Sequence, residues 1–311
     1  MKDLKVIFMG TPEFCVPILE ALIINCNVIA VVTQPDKEVG RKKEIVFSPI
    51  KTLALKHDIK VLQPVKIKEE YSEITNLNPD IIITCAYGQI VPEIILKTPK
   101  YGCINVHASL LPKLRGGAPI HKAIIYGYKK TGITIMYMDK GMDTGDMISK
   151  VEVDILDTDT AETLHDKLQN VSVPLLMNTL PSIINGTNKR EKQDNNEATY
   201  AYNVSREEEH VDFNKTSKEI FNQIRGLNSW PGAYAILNDK NIKLWASKIN
   251  DKTYDSKPGT IVNIDKNGME VTTKDGSIII TELQVPGKKK MNIKDFINGN
   301  KKEDYLNKIF K

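Results

Sequence analysis

Leu4-Lys5-Val6-Ile7-Phe8-Met9-Gly10-Thr11-Pro12-Glu13-Phe14-Cys15-Val16-Pro17 reads as strand, turn and helix in immediate succession. Leu4–Met9 is an apolar, β-branched run, Gly10-Thr11-Pro12 ends it, and Glu13 to Ile24 follows as an amphipathic helix that tolerates Pro17 near its beginning. Val28–Thr33 and Ile81–Cys85 repeat the strand pattern with helical patterns between, which predicts an α/β fold with a parallel sheet covered on both faces. The first turn lacks G-x-G-x-x-G, so a dinucleotide site is disfavoured, although Gly10 still permits close approach of a ligand. In open sheets of this kind, ligands bind at the carboxyl ends of the strands.

Leu164, Leu168, Val171 and Leu175 place a helix over Asp159–Ile184, with Asp159 and Glu162 as a capping pair. The polar stretch Asn185–Asn196 reads as a linker. Residues 1–186 are therefore expected to form one domain, 187–205 a linker and 206–311 a second domain. In the second, Thr216-Ser217-Lys218-Glu219 opens a short helix that Gly226 closes. Brief strands near Ala233–Leu237, Ile242–Ala246, Gly259–Ile264, Met269–Thr273 and Ser277–Leu283, separated by turn dipeptides, predict a small barrel.

The chemistry concentrates in Asn105-Val106-His107-Ala108-Ser109-Leu110-Leu111-Pro112-Lys113-Leu114-Arg115-Gly116-Gly117-Ala118-Pro119 and in Met138-Asp139-Lys140-Gly141-Met142-Asp143-Thr144-Gly145-Asp146. Gly102–His107 is a short strand, and its period of two puts Asn105 and His107 on one side at the strand end. An amide that donates to a developing oxyanion and an imidazole that moves protons suit acyl transfer, and Asp143 is placed to orient the imidazole. Gly141 and Gly145 would free the backbone to bring that carboxylate round.

Asn-x-His-x-Ser-Leu-Leu-Pro followed by an Asp-bearing glycine loop resembles the signature of the folate-dependent formyltransferase family. Gly10-Thr11-Pro12, Gly40-Arg41-Lys42-Lys43 and Leu283–Met291 further resemble the branch that acts on charged initiator tRNA, so the likeness runs from residue 1 to about residue 300. The resemblance implies a Rossmann-like, mainly parallel sheet domain followed by an OB-like β-barrel, with 10-formyltetrahydrofolate as formyl donor. It implies Asn105, His107 and Asp143 as catalytic residues; Ser109, Leu110, Leu111 and Pro112, with Tyr87, Gly88, Gln89, Ile90 and Val91, against the folate; and Gly10, Thr11, Pro12, Arg41, Lys42, Lys43, Lys288, Lys289 and Lys290 against the tRNA. The long segment Gln34–Ser48 would be a loop that inserts at the acceptor stem, with Arg41 as its reader.

Composition sets the limits. Residues 206–311 hold 19 Lys and Arg against 15 Asp and Glu, which accounts for the whole net charge of +4. No apolar run is long enough for a membrane span and the start lacks a signal-like segment, so a cytoplasmic location is expected; the expected partners are the charged initiator tRNA and the folate, with the chain acting as a monomer. Cys15, Cys26, Cys85 and Cys103 are too scattered for a zinc site, and Asp139, Asp143 and Asp146 match no metal loop, so no metal is expected. The rival readings are a formyltransferase acting on an amino-sugar nucleotide, a hydrolase of the folate, and a non-catalytic RNA-binding protein. The Gly10 turn, the Arg41 loop and the Lys288 run oppose the first, the basic second domain opposes the second, and joint retention of Asn105, His107 and Asp143 opposes the third.

Overall fold

The computed structural model describes residues 1–40 and 43–311, so the expected tRNA contacts Arg41 and Lys42 lie outside the described residues. Two compact units emerge. The first is Met1–Pro119, Thr131–Asp154 and His165–Tyr202; the second is Ile120–Lys130, Ile155–Leu164 and Asn203–Lys311.

Among the described residues nine strands precede residue 155: β1 Lys5–Gly10, β2 Asn27–Val32, β3 Lys37–Val39, β4 Glu44–Val46, β5 Lys60–Leu62, β6 Ile81–Cys85, β7 Cys103–His107, β8 Lys130–Tyr137 and β9 Met147–Asp154. Seven form one sheet in the order β5-β2-β1-β6-β7-β8-β9. The pairings from β5 to β7 are parallel, and β8 runs antiparallel to β7. The central strand β6 is buried throughout, because a strand covered on both faces must be apolar at every position, and each fully buried Ile contributes roughly 1.5–3 kcal/mol. Its Thr84 is the exception that marks the site. The pair β3 and β4 forms a separate antiparallel hairpin inside the segment 34–48, which is thus partly regular rather than loop throughout.

The sheet is flanked by α1 Val16–Asn25, α2 Pro49–Lys56, α3 Ser72–Thr75 and α4 Glu93–Lys97. The helix expected from Glu13 begins as a 3₁₀ turn over Glu13–Cys15 and becomes α-helical only at Val16. An α-helix started at Glu13 would need the Pro17 N–H to reach the Glu13 carbonyl, and proline has none. Further on lie α5 Pro119–Ile125 and α6 Ala161–Ile184. The cap of α6 is Thr160, not the expected Asp159: Thr160 Oγ1 accepts from Thr163 N at 3.3 Å and Thr163 Oγ1 accepts from Thr160 N at 3.0 Å. Asp159 instead turns back to accept from Leu156 N at 2.7 Å.

In the second unit, α7 Ser217–Gly226 carries the expected capping box between Thr216 and Glu219. Gly226 ends the helix as expected and has a further task. It lies in the last helical turn, where a Cβ would stand 2.7 Å from Ile125 Cγ1, so glycine lets α7 approach α5. The sheet order is β10 Ala233–Leu237, β11 Lys240–Asn250, β14 Ser277–Gln284, β13 Gly268–Thr272 and β12 Ile261–Asp265, with β15 Met291–Asn292 pairing β14 ahead of α8 Ile293–Asn298. Its two edges are β10 and β12, and the last residues of the chain bind both. Asn307 N donates to Ile261 O at 2.9 Å and Phe310 N to Gly259 O at 2.9 Å, while Lys311 and Ile236 exchange bonds of 2.8 and 2.7 Å. These bonds close the antiparallel sheet around a core that includes Leu244, Val271, Ile278, Ile280 and Phe296. All four cysteines are free and buried. Among the described residues no helix is long and apolar enough to cross a membrane.

Candidate active site

Register sets the first two groups. Thr84 on β6 pairs with Asn105 on β7, and two residues later His107 lies opposite Thr134 on β8. Thr84 Oγ1 donates to Asn105 Oδ1 at 2.9 Å, which turns the amide so that Nδ2 faces Asp143 Oδ1 at 3.5 Å. His107 is buried, with Nε2 3.0 Å from the Leu114 carbonyl oxygen. A carbonyl only accepts, so Nε2 carries a proton, and Nδ1 is the nitrogen that faces Asp143 Oδ1, at 3.7 Å. The structure therefore brings Asn105, His107 and Asp143 together. The 3.5 and 3.7 Å separations exceed an ordinary hydrogen bond, which leaves Nδ2 and Nδ1 available to an oxygen arriving between them.

Asp143 itself takes the left-handed conformation, φ +53°, a strained state for a non-glycine residue. Gly141 and Gly145 are needed for space instead: a Cβ would stand 2.1 Å from Thr144 Oγ1 at the first and 1.9 Å from Tyr137 O at the second. The other Asp143 oxygen, Oδ2, accepts from Gly116 N at 2.8 Å. Asp139 and Asp146 point to other tasks, the former accepting from Gly141 N at 2.9 Å and the latter pairing with Arg190 at 3.0 Å. Among the described residues, no group of three His, Cys, Asp or Glu side chains is arranged to hold a metal.

The predicted folate residues divide by exposure. Ser109 and Leu111 face inward: Ser109 Oγ donates to Lys113 O at 2.6 Å, and Leu111 packs with Met136 and Met147. Thr134 Oγ1 fixes this turn, donating to Ser109 O at 2.7 Å and accepting from Leu111 N at 3.2 Å. Leu110 and Pro112 remain half-buried. In the second stretch Tyr87 and Val91 belong to the core, and Gln89 is held by Ile67 N at 3.0 Å and Pro64 O at 3.1 Å. Burial pushes the Tyr87 phenol well up, so it stays protonated. Gly88, at φ +95°, and Ile90 are exposed, leaving a glycine backbone open to a ring system.

The predicted tRNA residues lie in three places. Gly10 joins β1 to its neighbours, since a Cβ would stand 2.8 Å from Phe8 and 2.9 Å from Cys85 O. Thr11 Oγ1 donates to Tyr87 O at 3.1 Å, tying the first turn to the turn after β6, and Pro12 precedes the 3₁₀ turn. Lys43 is exposed beside Glu38, at 3.5 Å. Lys288, Lys289 and Lys290 are exposed between β14 and β15, and Lys290 pairs with Glu282 at 2.6 Å.

Three contributors escaped the sequence reading. Thr84 had a signal, a lone hydroxyl in an isoleucine strand. Arg115 and Gln193 had none, because composition cannot tell a solvated polar side chain from one bonded inside. The segment 187–202, expected as a linker, is hydrogen-bonded along the first unit. Glu191 and Met147 exchange bonds of 2.8 and 2.9 Å, Arg115 N donates to Thr199 O at 2.9 Å, and Ala201 N to Arg115 O at 2.7 Å. Gly116, at φ +119°, permits this approach, since a Cβ there would stand 2.8 Å from Ala201 O.

A mainly parallel sheet, with an amide and an imidazole on β7 facing a carboxylate from the loop between β8 and β9, is joined in sequence to an antiparallel barrel, the two-domain architecture of the formyl transferases. The formyl transferase model matches residues 4–180 and the formyl transferase C-terminal domain model residues 203–301. The chain is 53% identical over 299 residues to the methionyl-tRNA formyltransferase of Bacillus subtilis, covering 95% of this chain and 94% of that protein. It is 51% identical to the methionyl-tRNA formyltransferase of Macrococcus caseolyticus, covering 96% of each. Among solved structures, an N-formyltransferase from Helicobacter canadensis superposes with a TM-score of 0.67 at 24% identity, over 89% of this chain and 98% of that one. The methionyl-tRNA formyltransferase from Clostridium thermocellum gives 0.57 at 19% identity, over 80% of this chain and 95% of that one. These two share the fold. The chain belongs to the formyl transferase family, and within it to the methionyl-tRNA formyltransferases.

Proposed function

We infer that this protein transfers the formyl group of 10-formyltetrahydrofolate to the free amino group of methionyl-tRNA, the charged initiator, giving N-formylmethionyl-tRNA. The observation that carries the reading is the convergence of Asn105 Nδ2, His107 Nδ1 and Asp143 Oδ1 within 3.5–3.7 Å, in a chain about half identical to methionyl-tRNA formyltransferases along nearly its whole length.

The amine attacks as free base, and its nitrogen bonds to the formyl carbon while the carbonyl oxygen gains charge. Asn105 Nδ2 and, when His107 is protonated, its Nδ1–H donate to that oxygen. Asp143 holds the imidazolium and accepts the proton that the amine loses, directly or through water. The carbon–nitrogen bond to the folate then breaks, and its nitrogen leaves with one proton, so the count balances. No covalent enzyme intermediate is required. Leu110, Pro112 and the Gly88 turn are the candidates to border the folate, Arg41 to read the acceptor end and Lys288–Lys290 to meet phosphates. We place the activity in the cytoplasm and assign it to a monomer. The test is transfer of labelled formyl to charged initiator tRNA, charged elongator tRNA and an amino-sugar nucleotide side by side. Fastest transfer to the initiator is expected; transfer to the sugar nucleotide alone would overturn the reading.

A further inference from the structure

We infer that Gln193, through its pair with the buried Arg115, is a positioning residue for the transfer, holding Asp143 at the angle from which it meets His107. This inference rests on the proposed function of the site. A non-glycine residue at φ +53° does not stay there unaided, and the surroundings of Asp143 supply the restraint from two sides. Its carboxylate is held by Gly116 N at 2.8 Å. Its main chain is held by Gln193, whose Nε2 donates to Asp143 O and to Gly145 O, each at 2.8 Å.

The other end of the same amide is equally occupied. Gln193 Oε1 accepts from Arg115 Nε at 3.0 Å and Arg115 Nη2 at 2.8 Å. An amide has two hydrogens and one two-lone-pair oxygen, so all four of its bonds are made here, and no other side chain of this length offers two donors opposite two acceptor sites. Arg115 is 1% exposed and is fixed in turn: Nη2 also reaches Asn195 Oδ1 at 3.0 Å, and its backbone pairs with Thr199 and Ala201. Gly116, which grips the carboxylate, is its neighbour in sequence. The segment 187–202 thereby sets both ends of Asp143, one through Gln193 and the other through the Arg115–Gly116 backbone.

Gln193→Glu tests the inference, since it keeps the length of the side chain and the partner of Arg115 but replaces two donors with acceptors facing two carbonyls. We expect kcat to fall on the order of 10²-fold, the effect of about 1 Å of misplacement, with KM for both substrates near wild type. In an Asp143→Ala background the same change should cost nothing further, which a general loss of packing would not mimic. Gln193→Leu, neutral and lacking both donors, should behave likewise. Crystal structures of either variant without substrate should show the Asp143 carboxylate turned away from Gly116 N and His107, a readout independent of which acceptor the enzyme uses. Unchanged kcat in Gln193→Glu, an undiminished loss in the Asp143→Ala background, or an unmoved Asp143 would each overturn the assignment.

Discussion

Asn105, His107 and Asp143 are held by strand register, by Thr84 and by Gly116, at separations of 3.5 and 3.7 Å, whereas Lys288, Lys289 and Lys290 stand on an exposed turn. The first unit makes direction count; the second makes charge count. Buried groups act through distance and angle in a medium that screens little, while exposed lysines act through the number of charges near a phosphate and are screened by salt within about 10 Å at 0.1 M ionic strength. Substitutions should therefore be abrupt in the first unit and graded in the second.

The sharpest break falls on Asn105. Asn105→Ala removes the donor aimed by Thr84 and should lower kcat by on the order of 10² to 10³, with tRNA binding nearly intact. Steady-state kinetics beside a tRNA binding titration decide it: retained turnover would make the strand-end geometry incidental. Next come His107 and Asp143, which meet at 3.7 Å. Asp143→Asn and His107→Ala should each cut turnover steeply, and the double variant should lose much less than the two single losses combined, because the groups work as a unit. Additive losses would show that each acts alone.

The legible part of this molecule was whatever repeats along the chain. Apolar runs marked β1, β2 and β6, the period of two put Asn105 and His107 together, and Thr216 with Glu219 announced α7. Partners distant in sequence left no such trace. The barrel closes through residues 307–311, whose contribution is backbone hydrogen bonding to two edges and the single buried side chain Phe310, too little pattern to mark a closing segment. Gln193 looks like linker composition because its partners, Arg115 and the carbonyls of Asp143 and Gly145, come from elsewhere. Thr160 displaces Asp159 as a cap because Thr163 reciprocates, a choice between adjacent residues that a pattern cannot make.

Acid should separate the two units. In the second, bonds from Lys218 to Asp157, from the Asn214 backbone to Asp212, from Thr216 to Glu219, from the Asn267 backbone to Asp265 and from the Ser217 backbone to Asp275 hold these carboxyls below their ordinary values. In the first, Asp36 beside Lys51 and Glu93 beside Lys97 are held down in the same way. A depressed folded pKa stabilises the fold above the unfolded value of about 4, and that contribution disappears as pH falls through the depressed value. The second unit, with more such groups, should loosen first below about pH 4, although each group is largely exposed and its share small. Both tryptophans, Trp230 and Trp245, lie in the second unit, so their fluorescence reports it alone. A fluorescence transition coincident with loss of the helical signal across the whole chain would erase this difference between the units.

The smallest effect belongs to the lysine turn, and it has internal structure. Lys290 already pairs with Glu282 at 2.6 Å and lies 6.0 Å from the Trp245 ring, so part of its charge is neutralised before any nucleic acid arrives. Lys288 and Lys289 have no ion pair among the described residues and stand exposed, so they are the ones whose approach to phosphates releases counterions. Replacing Lys288 and Lys289 with Ala should reduce the log–log salt slope of tRNA binding by roughly 0.7 to 0.9 for each phosphate that is no longer neutralised, equally for initiator and elongator tRNA, since phosphates carry no sequence information. Lys290→Ala should change the slope less, because the charge it removes was already balanced by Glu282. A salt series on the double and single variants resolves the three lysines. An equal slope change for Lys290→Ala would mean that its pair with Glu282 opens on binding, and an unchanged slope for Lys288 and Lys289 would place the phosphate-binding groups elsewhere on the protein.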